Sequence, residues 1–119
     1  MKYIIIEDHK SDNPDPIIIK KGSRLKVDKK KVSTSEEWPN WIYCYSVDDN
    51  SEGWTPEQII QIDGEYGIVL EDYSAKELDA KKDEVVKGIR ELNGWVWCSK
   101  IDYSEEGWLP KEKIAIDSN

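Results

Sequence analysis

Apolar residues along this chain fall in short runs or alternate with polar ones, and stretches dense in Asp, Glu, Lys, Ser and Asn separate them. One series comprises Leu25-Lys26-Val27, Trp41 to Tyr45, Trp54, and Ile60 with Ile62. A second comprises Val85-Val86, Trp95 to Cys98, Trp108-Leu109, and Ile114 with Ile116. Period-two alternation rich in Ile, Val, Trp and Tyr predicts strands. Asp48 to Gly53 and Asp102 to Gly107 read as hairpin turns between strands. Only Ala75 to Asp83 has a composition a helix would accept. Its counterpart in the first series holds Pro14 and Pro16, which a helix interior resists, so both segments are predicted to be loops.

The two series are copies of one unit. Trp41-Ile-Tyr-Cys44 returns as Trp95-Val-Trp-Cys98, and Glu52-Gly-Trp-Thr-Pro56 returns as Glu106-Gly-Trp-Leu-Pro110, both at an offset of 54 residues. Ile60, Ile62 and Asp63 match Ile114, Ile116 and Asp117 at that same spacing. The openings, Ile5-Ile-Glu-Asp8 and Val69-Leu-Glu-Asp72, match at an offset of 64, so the first copy carries ten extra residues between these anchors. About three precede Lys20-Lys-Gly22, aligned with Lys81-Lys-Asp83, and about seven precede Trp41. The chain is therefore expected to divide into 1–63 and 64–119, joined through the turn-forming Gly64-Glu-Tyr-Gly67. Five short strands in each half predict an all-β protein of two tandem small five-stranded β-barrels.

Composition narrows the function. Lys and Arg number 17 against 25 Asp and Glu, a formal charge of −8 with a sequence pI near 4.7. Sequence-independent nucleic-acid binding needs clustered positive charge, so no nucleic-acid partner is expected. Six Trp and six Tyr argue against a disordered chain. No apolar run approaches the ~20 residues that cross a bilayer, and Glu7 and Asp8 interrupt any secretory signal, so a cytoplasmic protein without membrane partners is expected. Cys44 and Cys98 stand alone at equivalent mid-strand positions, without ligand spacing for zinc, and read as small buried hydrophobes. His9 is the sole histidine and has no evident partners for a triad. Asp48, Asp49, Asn50 and Glu52 lack the alternating spacing of a calcium loop. Glu7-Asp8 and Glu71-Asp72 are strand neighbours that point to opposite faces, so they cannot act as a carboxylate pair. With no nucleophile–base pair and no glycine-rich phosphate loop, no enzyme, cofactor or metal site is expected.

In the second copy, Val69-Leu-Glu-Asp-Tyr73 resembles the ALYDY opening of the Src homology 3 (SH3) domain. Glu77-Leu-Asp-Ala-Lys-Lys-Asp-Glu84 resembles its ELSFKKGD segment, Trp95-Val-Trp-Cys98 its WW-x-A strand, and Gly107-Trp-Leu-Pro110 its G-Y-[IV]-P turn. The first copy matches through Ile5 to His9, Lys20-Lys-Gly22, Trp41 to Cys44 and Gly53-Trp-Thr-Pro56. The chain thus resembles a tandem SH3-like protein of the divergent, bacterial variant type. The resemblance implies an aromatic groove for extended polyproline II peptides. In copy two the implied groove residues are Tyr73, Glu77, Trp95, Trp108 and Pro110, with Glu77 at the acidic position that meets a basic ligand residue. In copy one they are His9, Trp41, Trp54 and Pro56. Glu71 and Lys113 replace two usual groove tyrosines in copy two; Glu7 and Ile59 do so in copy one.

Two functions follow as expectations. The first is a non-enzymatic interaction protein that binds an extended, basic or proline-containing peptide segment of a partner protein through an aromatic groove. The second is an acidic inhibitor or immunity-type protein that masks a basic partner through its charged surface.

Overall fold

Each alternating segment of the sequence forms a strand. The computed structural model describes residues 1–11, 15–33, 40–48 and 51–117. In chain order the strands are β1 (Lys2–Ile5), β2 (Ile18–Ile19), β3 (Arg24–Ser33), β4 (Trp41–Ser46), β5 (Glu52–Pro56) and β6 (Ile60–Asp63). They continue with β7 (Tyr66–Val69), β8 (Tyr73–Ser74), β9 (Val85–Leu92), β10 (Trp95–Lys100), β11 (Glu106–Pro110) and β12 (Ile114–Ile116). Short 3-10 turns, Glu57–Ile59 and Lys111–Lys113, follow Pro56 and Pro110. Ala75 to Asp83 is irregular apart from isolated bridges, as expected from the prolines of its counterpart in the first repeat. Of the turn expected at Asp48 to Gly53, residues 49 and 50 lie outside the described residues.

Two five-stranded sheets form, with orders β11-β10-β9-β1-β12 and β5-β4-β3-β7-β6, and every pairing within them is antiparallel. Their membership departs from the expected division at residues 63 and 64. Unit 1 comprises Met1–Pro14 with Lys76–Asn119, and unit 2 comprises Asp15–Ala75. Each of the two similar sequence stretches gives its opening strand to the other's sheet. Strand β1 of the first repeat pairs β12 through Ile5 opposite Ile114, while β7 of the second pairs β6 through Val69 opposite Ile60. The physical reason is local: the connection from β6 is too short to carry β7 anywhere but back along its neighbour. A hairpin turn at Gly64, with φ of 65°, folds β7 directly back onto β6.

The inward positions of each sheet build its core. In unit 1 these are Ile5, Leu78, Ala80, Val86, Val96, Cys98, Leu109 and Ile114, with Tyr3 packed against them. In unit 2, Ile17, Leu25, Val27, Ile42, Cys44, Ile59 and Val69 are buried with Thr55. Both cysteines are free and buried, as expected of small core side chains, and desolvation pushes each thiol up to about 11. The Glu-Asp motif of each opening serves the fold. Asp8 accepts a hydrogen bond from the Lys82 N–H (2.6 Å), and Asp72 accepts one from the Lys21 N–H (2.8 Å). These equivalent bonds tie each opening to the turn before β9 or β3, and both cross from one repeat to the other.

Candidate functional site

Strand alternation sends Trp41, Tyr43 and Tyr45 to the outer face of β4, while Ile42 and Cys44 point inward. Pro56 lies opposite Trp41, and Trp54 lies opposite Tyr43. The Tyr43 ring meets Trp54 and Tyr45 edge-on, each with centroids 5.4 Å apart. Trp54 is 44 % exposed. The Tyr43 hydroxyl donates to Glu52 Oε1 at 3.0 Å, and burial followed by this bond raises its pKa above the usual tyrosine range. Lys31 brings its ammonium 4.7 Å from the Tyr43 ring centre. Unit 2 thus presents an aromatic face of Trp41, Tyr43, Tyr45 and Trp54. At one end of that face the Trp41 indole N–H is buried and has no acceptor among the described residues.

The equivalent face of unit 1 is tighter. Trp95 lies opposite Pro110, and Trp97 opposite Trp108. Trp97 and Trp108 meet edge-on at 5.3 Å, and the Trp97 indole donates to Glu106 Oε2 at 3.1 Å. The segment returning toward β9 clamps Trp108: its N–H donates to the Lys76 carbonyl at 2.9 Å, and the Leu78 N–H donates to the Trp108 carbonyl at 3.0 Å. Close approach at Gly107 permits this, because a Cβ there would sit 2.7 Å from the Glu77 carbonyl carbon and the Leu78 nitrogen. Trp108 is consequently only 8 % exposed.

His9 is buried beside this clamp. Its Nε2 lies 2.8 Å from Glu77 Oε1, its Nδ1 lies 3.2 Å from Lys113 Nζ, and its ring meets Trp95 edge-on at 6.0 Å. The Lys113 ammonium can only donate, so this arrangement has Nδ1 accepting from Lys113 and Nε2–H donating to Glu77 Oε1. The carboxylate expected to meet a ligand's cation is thus already engaged inside the protein.

Of the expected groove residues in the second repeat, Glu77, Trp95, Trp108 and Pro110 come together in unit 1. Tyr73 does not join them. It is buried in unit 2, paired through β8 with β2, in the unit that holds Trp41, Trp54 and Pro56. His9 takes the place of Tyr73 in unit 1. Several participants escape the sequence reading. Tyr43, Tyr45 and Trp97 have an outward register that follows from alternation with Trp41 and Trp95; Lys113 the resemblance marks only as the replacement of a tyrosine. Among the described residues no cluster of His, Cys, Asp or Glu is arranged to hold a metal, and no helix is long and apolar enough to cross a membrane.

Five antiparallel strands, a proline-bearing turn into a 3-10 turn, and aromatics on the outer face define a small barrel of the SH3-like class. The family model described as the variant SH3 domain matches residues 2–63. That stretch is just over half of the chain, and the chain belongs to this family. No curated protein and no solved structure matches it. Membership implies a role in protein–protein interaction in general.

Proposed function

We propose that the chain is a non-enzymatic tandem of two SH3-like units in which unit 2 binds an extended segment of a partner protein along Trp41, Tyr43 and Trp54. The observation that carries this reading is the Trp41 indole N–H, buried without an acceptor among the described residues. Leaving such a donor unpaired costs about 1–3 kcal/mol, which a partner's carbonyl would recover once binding turns the indole edge outward. An extended, proline-containing segment supplies such carbonyls, because its backbone makes no internal hydrogen bonds. The exposed Trp54 ring beside it offers apolar area for the same ligand. A net charge of −8 favours a basic segment in solution. Unit 1 is the weaker candidate, since its Trp108 is clamped and its Glu77 is held by His9.

The test is capture of partners from the source cell, followed by peptide arrays derived from whatever is captured, at low and high salt. Trp41→Ala should abolish binding. Trp41→Phe keeps a ring but loses the donor and should weaken binding about 5- to 30-fold, the equivalent of about 1–2 kcal/mol. Trp95→Ala should change little. Binding that survives Trp41→Ala but disappears at high salt would transfer the function to the acidic surface, as in a protein that masks a basic partner.

A further inference from the structure

The berths that receive β1 and β7 are nearly interchangeable. Ile5 opposite Ile114 repeats as Val69 opposite Ile60. The Asp83 N–H donates to the Ile5 carbonyl, and the Gly22 N–H to the Val69 carbonyl, both at 2.7 Å. Asp8 and Asp72 make the same bond to their respective turns. Interactions this similar give either strand little reason to prefer one unit.

One position differs sharply. Tyr3 lies opposite Val86 in unit 1, and Gly67, its counterpart in the repeat, lies opposite Leu25 in unit 2. The Tyr3 ring rests on Gly88, where a Cβ would fall 2.8 Å from Tyr3 Cδ2 and inside contact distance of Cε2. The repeat places Val27 where Gly88 stands. In unit 2 the space that an aromatic ring would need is taken from both sides. A Cβ on Gly67 would fall inside contact distance of Ile60 Cγ2 and 3.6 Å from Val27 Cγ1. Large-on-small in unit 1 is thus matched by small-on-large in unit 2.

We infer that Tyr3 on Gly88 and Gly67 against Val27 form a reciprocal steric key that assigns β1 to unit 1 and β7 to unit 2. Returning β1 to its own repeat would drive the Tyr3 ring into Val27, which stands where unit 1 has Gly88. Returning β7 to its own repeat would set Gly67 over Gly88 and leave a cavity the size of the ring. Overpacking a well-filled site and emptying one that a partly buried ring had filled both destabilise. Both errors occur together, so the exchange is favoured twice over.

Engineered cysteine pairs report which berth β1 occupies. Ile4 lies opposite Ala115, and the repeat places Gln61 at the position of Ala115. In the otherwise native protein, Ile4→Cys with Ala115→Cys should form a disulfide on oxidation, and Ile4→Cys with Gln61→Cys should not. The buried native thiols serve as an internal background. Inverting the key through Tyr3→Gly, Gly67→Tyr, Gly88→Val and Val27→Gly should reverse this result. A folded inverted protein that still links residues 4 and 115 overturns the inference. A second measurement stands even if the inverted protein does not fold. Gly88→Ala should lower the thermal midpoint by about 5 °C or more, and the loss should vanish in a Tyr3→Ala background. An equal loss in both backgrounds overturns the inference as well.

Discussion

Trp54 and Trp108 hold the same place in the two repeats, yet one is 44 % exposed and the other 8 %. The strands that carry them are alike, so the difference comes from what lies alongside. In unit 1, the segment Lys76 to Leu78 is hydrogen-bonded to both sides of Trp108, and Trp97 packs on its ring. In unit 2, Pro16 stands where the repeat has Glu77, and the smaller Tyr43 replaces Trp97. One scaffold has thus been used once to bury an indole and once to display it. An aromatic in a repeat motif marks a position, and its neighbours decide whether that position is core or surface.

The largest expected effect follows from the division into units. A fragment of residues 15–75 contains every strand of unit 2 and should fold alone, with a dispersed amide spectrum. The fragment 1–63, a complete repeat by sequence, should not, because it holds Tyr3 in place of Gly67. A well-folded monomeric 1–63 would erase the distinction between repeat and unit. Next in size, Trp108→Ala should cost about 3–5 kcal/mol in denaturant unfolding, and Trp54→Ala less than about 1 kcal/mol. Equal losses would show that the two rings are packed alike. His9→Ala should destabilise unit 1 by about 1–3 kcal/mol, since it strands Glu77 and Lys113 without their shared partner. Asp83 adopts φ of 74° where unit 2 has Gly22, so Asp83→Gly should stabilise unit 1 by about 0.5–1 kcal/mol.

The cysteines are the point at which the two units should not differ. Desolvation holds both thiols protonated up to about 11, against 9.0 for an unperturbed group. Between those values the folded state keeps protons that the unfolded state has released. The thiol contribution to stability is therefore full below about pH 9 and is lost as the pH rises toward 11. Neither thiol should react with a disulfide reagent at pH 8 until the protein unfolds. Selective labelling of Cys44 over Cys98 would reveal an opening confined to unit 2.

Much of the fold is legible in the sequence because it rests on local pattern. Alternation at Trp41 to Tyr45 and Trp95 to Cys98 identifies outward aromatics and inward cysteines, and the two half-sequences align at fixed offsets. The exchange of opening strands is not legible. It depends on steric fit between residues distant in sequence, Tyr3 with Gly88 and Gly67 with Val27, and an offset between repeats says nothing about which copy of a strand enters which sheet. The groove residues meet the same limit. Tyr73 and Glu77 are four residues apart in the chain and belong to one implied groove, yet the crossover between Ala75 and Lys76 separates them. His9 looks in the sequence like the odd residue of the first opening, and it is the partner of Glu77 for the same reason.

Strand β1 has a mechanical consequence. It runs antiparallel to β12, with Tyr3 opposite Ile116, so the start of β1 and the end of β12 lie side by side at one end of the pair. Tension applied between the termini would open that pair like a zipper, breaking hydrogen bonds one after another, instead of shearing them together. Residues 15–75 lie wholly inside the loop closed by this pair and bear no load until it has opened. In a pulling experiment the unit with the displayed indole would therefore be the last to yield, sheltered by the strand its own repeat gave away.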